Sequence, residues 1–162
     1  FAIVPIVRGR EVGGGEERAD VATKVRIVDA RVHPDGRYDI VTVGLSRCRI
    51  RAWLPDNPHA WAEVDEVQDH GAAAVGLERM ADAIDMVRSI LERCAALGEP
   101  VPEIPDELAS DPGFAVFQLA ALAPVGDHDR AAMLSIDDVG KRLDALVRAL
   151  GDVDAVLKFR ES

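Results

Sequence analysis

Cysteine is scarce: the chain has two, Cys48 and Cys94. Neither has a second Cys or a His at metal-ligand spacing, and two thiols cannot build a disulfide framework, so zinc-ribbon and disulfide-scaffold classes drop out. Cys48 falls in a strand pattern and Cys94 on the apolar side of a helix pattern, which makes both buried free thiols of a reducing compartment. No apolar run approaches the ~20 residues that span a bilayer, and no basic start leads through an apolar segment to a small-residue cleavage site. The expectation is a soluble, cytoplasmic protein with no membrane partner. Lysine is limited to Lys24, Lys141 and Lys158, and serine to Ser46, Ser89, Ser110, Ser135 and Ser162. None stands where a nucleophile would meet its base. The histidines, His33, His59, His70 and His128, fall in loops or at element ends. The run Gly13-Gly14-Gly15 is no phosphate cradle, because Glu16, Glu17 and then a strand follow it, whereas a nucleotide loop enters a helix through Lys-Ser or Lys-Thr. No catalytic residue, cofactor site or metal site is encoded, and the chain is expected not to be an enzyme.

What is abundant is acid, unevenly spread. Residues 1–68 hold 10 Lys+Arg against 11 Asp+Glu, and residues 69–162 hold 9 against 18, so the net charge of -10 divides as -1 and -9. Such a surface repels phosphate backbones, which counts against nucleic acid as a partner.

The first half reads as antiparallel β. Phe1 to Val7 is strand-like from its first residue, and a domain of this kind is expected to have a segment in front of it. Gly13 to Gly15 reverse the chain after Arg8, and His33-Pro34-Asp35-Gly36 reverses it again between runs rich in β-branched residues. Val21 to Val32 puts Val25, Ile27 and Ala30 or Val32 inward with a phase drift that implies a bulge or strong twist. Tyr38 to Val43 follows, then Leu45 to Leu54, where Arg47, Arg49 and Arg51 alternate with Cys48, Ile50 and Ala52. The arginine row invites a nucleic-acid reading; against it stands a solvated outer face paired with carboxylates of neighbouring strands. Trp53 and Trp61 flank the turn Pro55 to Pro58 and are expected to pack near each other, before Trp61 to Val67 resumes a strand.

From Ala72 the hydrophobic period changes from 2 to 3.6, with Leu77, Met80, Ile84, Val87, Leu91 and Cys94 on one stripe. One helix over 72–97, ~39 Å long, ends at Gly98 before Pro100. Prolines 100, 102 and 105 mark a semi-extended linker. Asp111 caps a nearly all-apolar helix with Pro112 at its first position, and Asp127 or His128 opens a short one ending near Leu134. Ser135 with Asp137-Asp138 caps the last helix, whose stripe holds Val139, Leu143, Leu146, Leu150 and Leu157. The division expected is a β subdomain over 1–70 and an α-helical subdomain over 71–162.

The segment from FAIVPI to Val67 resembles the N-terminal substrate-recognition domain of Lon (La) ATP-dependent proteases, and especially short stand-alone proteins that carry it without the rest of Lon. The motifs are FAIVPI, the glycine loop after Glu11-Val12, Val21-Ala22-Thr23, Asp35-Gly36-Arg37-Tyr38, and Val43-Gly44 followed by Arg47 and Arg49. Asp111-Pro112 with its helix and Lys141-Arg142-Leu143, where the family has an Arg-Leu pair, extend the match over nearly the whole chain. The resemblance implies an α+β fold: a PUA-like antiparallel β-barrel, partly missing at the N-terminus, then a long helix and a small α-helical bundle. The family's opening strand, proline-rich turn and helix with a Phe-Glu-x-Arg-Tyr pattern do not precede Phe1. It also implies a non-catalytic module that binds unfolded or damaged polypeptides, with a protease or chaperone as a further partner. Lon's Walker motifs and Ser-Lys dyad have no counterpart here. The alternative is an RNA-binding PUA-like module using the Arg47, Arg49 and Arg51 face. No polypeptide-binding residue is singled out.

Overall fold

Turn chemistry places the strands. Gly36, at φ 85°, closes the second reversal with its N–H on the His33 carbonyl at 3.0 Å, and the His33 N–H bonds back to Arg37 at 2.8 Å. The structure, a computed structural model, describes residues 1–9, 15–56 and 58–161. Of the first glycine turn only Gly15 lies among these, at φ 77°; Gly13 and Gly14 fall outside the described residues. The fold is α+β, and it divides into two compact units, Phe1–Gln68 and Asp69–Ser162.

The first unit is antiparallel throughout. Pro5, which has no amide proton to give a ladder, splits the opening run into β1 (Ala2–Ile3) and β2 (Ile6–Arg8). β3 (Glu17–Arg18) pairs with β2 in a two-stranded sheet. β4 (Val21–Val32), β5 (Tyr38–Leu54) and β6 (Trp61–Val67) join β1 in a second sheet, ordered β1-β4-β5-β6. The arrangement is that of an open, partial barrel. β5 is one strand of 17 residues, not the two read from the sequence. Gly44 stays in the ladder opposite Val25, and Leu45 is absorbed as the extra residue where the register shifts between Lys24 and Val25. The phase drift along β4 is this shift and a second one between Ile27 and Asp29.

Among the described residues, only Val21, Ala22, Val25 and Cys48 form the unit's buried apolar set. Ile27 and Val32, expected inward, are exposed, because Phe1 and β1 cover β4 only from Thr23 to Val25 and β6 covers β5 only from Arg47 to Leu54. Beyond those limits β4 and β5 continue as a two-stranded ribbon.

The second unit is helical: α1 (Leu77–Ala96), α2 (Pro112–Leu122), α3 (Asp127–Leu134) and α4 (Val139–Arg160). The helix expected from residue 72 begins at Leu77. Ala72–Ala74 form a turn of 3₁₀ helix, and Gly76 is extended at ψ 158°, so the period of 3.6 starts one turn later than the composition suggests. α1 buries Ala83, Val87, Ile90, Leu91 and Cys94, a stripe at steps of three and four. Asp111 accepts the Phe114 N–H at 2.8 Å, and Asp138 accepts the Lys141 N–H at the same distance; both helices start where the caps predict. Leu119, Leu143, Leu146 and Leu150 are fully buried, each worth ~1.5–3 kcal/mol over exposure. The proline-rich segment after α1 is a strap: Ile104 and Leu108 pack on this core, and the Ala109 N–H donates to Gln118 Oε1 at 2.7 Å. No helix among the described residues is long and apolar enough to cross a membrane.

Candidate functional site

The arginine row of β5 does not make one cationic face. Arg47 is 6% exposed, sealed where β5 is flanked by Thr23 of β4 and Val67 of β6. Arg51 donates through Nε to Asp65 Oδ2 at 2.5 Å, and Arg49 stands opposite that same Asp65 in the ladder. A register shift between Ile50 and Ala52 brings both residues against one acidic partner strand. The expected solvated outer face is thus corrected at Arg47, which is buried, while the pairing with a neighbouring strand's carboxylate is what Arg51 shows.

The tryptophans lie apart from each other. Trp53 is opposite Ala62 and Trp61 opposite Leu54, so alternation puts the two rings on opposite faces of the sheet. The Arg18 guanidinium sits 4.5 Å over the Trp53 ring, and His59 stacks on Trp61 with centroids 5.5 Å apart. Two other histidines are also in structural roles: His33 Nε2 meets Asp39 Oδ2 at 2.6 Å, and His70 bridges to Asp138 through the backbone.

The β4–β5 ribbon carries a run of exposed apolar side chains. Tyr38 is 65% and Val41 55% exposed, with Val32, Ile40, Val43 and Leu45 exposed beside them. A sheet that buries one face normally shows polar residues on the other. Here one face of the ribbon is apolar, with Tyr38 and Ile40 opposite Val32 and Ala30, while on the other face Val41 and Val43 stand exposed opposite Asp29 and Arg26. In the helical unit a groove of about 250 Å³ runs between α1 and the strap, lined by Val75, Leu77, Met80, Ile84, Ile104 and Leu108.

Arg142 is the residue whose environment was hardest to foresee. It is 0% exposed on α4, donating from Nη1 and Nη2 to Asp69 Oδ2 and Oδ1 at 2.9 and 2.5 Å. It also donates to the Ile136 carbonyl at 2.7 Å and to the Gly113 carbonyl at 3.3 Å, with its guanidinium 4.0 Å over the Phe117 ring. A Cβ on Gly113 would overlap the Asp69 carboxylate, so glycine is required there. The signal in the sequence is spacing: Arg142 stands three after Val139 and four before Leu146, on the apolar stripe itself. This constellation ties the start of the helical unit to α2 and α4; every donor is spent on protein, and none is left to meet a substrate.

Carboxylates gather near the ends of α1 and α4. Glu99 is held below its usual range by Arg160, Glu161 by Arg93, and Asp154 by Lys158 and then Arg93. Burial, then Glu99, pushes the Cys94 thiol up, and burial does the same to Cys48. Both are buried free cysteines, inert rather than nucleophilic.

Residues 1–152 match the ATP-dependent protease La (LON) substrate-binding domain. Among solved structures the chain is similar to a Lon N-terminal domain protein from Xanthomonas campestris: TM-score 0.55, 22% identity, 91% of this chain and 75% of that one. It is also similar to the N-terminal domain of a Mycobacterium avium complex Lon protease: TM-score 0.65, 18% identity, 93% and 77% covered. At these identities the likeness is one of fold. Among curated proteins none matches the chain.

Proposed function

Since the chain belongs to the family of ATP-dependent protease La (Lon) substrate-binding domains, we propose that it is a non-catalytic module that holds unfolded or damaged polypeptides by apolar contact. The observation that carries the reading is the exposed apolar surface of the β4–β5 ribbon, on a chain otherwise rich enough in charge to stay dispersed. Hydrolysis of the client then belongs to a protease partner, or its refolding to a chaperone partner, in the same compartment, the cytoplasm in this proposal. The RNA-binding rival draws no support from the geometry, because Arg47 is buried and Arg51 is engaged with Asp65.

A salt titration separates the two. An acidic unfolded client is repelled by a net charge of -10, and added salt screens that repulsion, with a Debye length of ~10 Å at 0.1 M. Affinity for a labelled, permanently unfolded acidic protein should hold or rise with salt. Single-stranded RNA engaged through three phosphates should show a log-log slope of roughly -2 instead. Steep loss of client binding between low and moderate salt would remove the apolar-contact account.

A further inference from the structure

Strand edges in this protein are guarded unequally. An edge strand exposes unpaired N–H and C=O groups that template the addition of another chain, and folded proteins ordinarily blunt it with charge. The outer edge of β4 beyond β1 carries Arg26, Asp29 and Arg31, and that of β6 carries Glu63, Asp65 and Glu66. The edge of β5 facing away from β4 is covered by β6 only from Arg47 onward. From Ile40 to Ser46, the seven residues IVTVGLS, it is bare among the described residues, and it contains no charge and no proline. High β-propensity without charge or proline is the composition that adds strands most readily.

We infer that the Ile40–Ser46 edge of β5 is a strand-addition site that takes an extended, uncharged polypeptide segment, apolar on both its faces; this rests on the polypeptide-binding reading above and gives it a location. The incoming strand continues the row that β6 begins, ~4.8 Å from β5, and is limited to about seven residues, ~23 Å, by β6 at one end and the hairpin turn at the other. Main-chain hydrogen bonds supply affinity for any sequence that can lie flat. Val41 and Val43 on one face and Ile40 on the other supply selectivity, since a Lys or Asp of the incoming strand would lie beside aliphatic side chains, with the charges of Asp29 and Arg26 one strand further away. Segments apolar on both faces are the buried strands of folded proteins, presented only when those proteins unfold. A second copy of this chain offers the same edge, but two bodies of net charge -10 repel, which favours a client over self-pairing.

The test pairs two ligands with two proteins. The ligands are a seven-residue Val/Thr peptide with solubilising ends, and its twin N-methylated at alternate amides, which has lost the donors of one edge. The proteins are the full chain and a V41K/V43E variant, where the new Lys faces Asp29 and the new Glu faces Arg26 across the ladder, so that the hairpin is kept. Far-UV circular dichroism confirms that both proteins are folded. The full chain should bind the peptide at least about tenfold more tightly than the methylated twin, and the variant should lose about tenfold. A full chain that binds a permanently unfolded protein, with the variant binding it equally well, overturns the strand-addition site and leaves the polypeptide-binding reading intact. Binding of neither peptide nor unfolded protein overturns both. Sedimentation that shows a dimer abolished by V41K/V43E overturns the client as occupant in favour of a second copy.

Discussion

Arg142 shows how much one side chain can organise. Its bidentate pair with Asp69 is partly withdrawn from water, where the Coulomb gain is large and so is the desolvation cost. Keeping both partners is close to neutral; losing one strands the other. Arg142→Met should therefore destabilise the protein by ~3–5 kcal/mol, read as a lower urea midpoint at unchanged slope. Arg142→Lys should recover little, because an ammonium cannot reach Asp69, Ile136 and Gly113 at once. The double variant Arg142→Met/Asp69→Leu should regain most of the loss, since no charge is left unpaired. A cost below about 1 kcal/mol for Arg142→Met would mean that the guanidinium is better hydrated than its zero exposure implies.

At the scale of elements, the ends of α1 and α4 are joined by side chains that titrate. Arg93 of α1 donates to Glu161 at 2.8 Å and also to Asp154, while Arg160 of α4 donates to Glu99 at 2.5 Å. Glu99, Asp154 and Glu161 all titrate below their ordinary values of 4.5, 3.8 and 4.5. A carboxylate with a depressed folded-state pKa contributes stability that is fully present above its unfolded value and is lost as pH falls through the folded one. The contribution is thus whole at pH 7 and declines below about pH 4.5. Arg93→Gln should lower Tm at pH 7, and the gap should narrow at acid pH as the Asp154 and Glu161 carboxylates protonate; high salt should shrink the difference at pH 7. An equal Tm gap at pH 7 and at acid pH would assign the effect of Arg93 to packing. Helix starts at Pro112 and Val139 were legible because a cap acts locally, within three residues of Asp111 and Asp138. The start of α1 was not, because Ala72 to Val75 satisfy the apolar period while Gly71, at φ 72°, and extended Gly76 break the helix around them. The faces of Trp53 and Trp61 depend on register, which side-chain type alone does not set. Ile27 and Val32, expected inward, are exposed for a similar reason: alternation reports that a strand has two faces, not how far its neighbours extend along it.

At the scale of the whole molecule the apolar core is unevenly divided. The helical unit packs a cluster that includes Val87, Ile90, Leu119, Leu143, Leu146 and Leu150, whereas among the described residues the β unit buries only Val21, Ala22, Val25 and Cys48. Local stability follows buried apolar contact, and amide exchange reads it segment by segment. Amides in the middle of α4 should exchange only through global unfolding. Those in Val21 to Val25 should come next, held by a small core with strands on both sides. Ribbon amides from Ile27 to Val43 should exchange fastest of all the strand residues, because a two-stranded ribbon without a buried face is marginal in water. Hydrogen exchange followed by mass spectrometry at neutral pH gives the order directly. Ribbon protection equal to that of α4 would show the apolar faces to be covered in solution, and the surface assigned to client binding would then be closed to it.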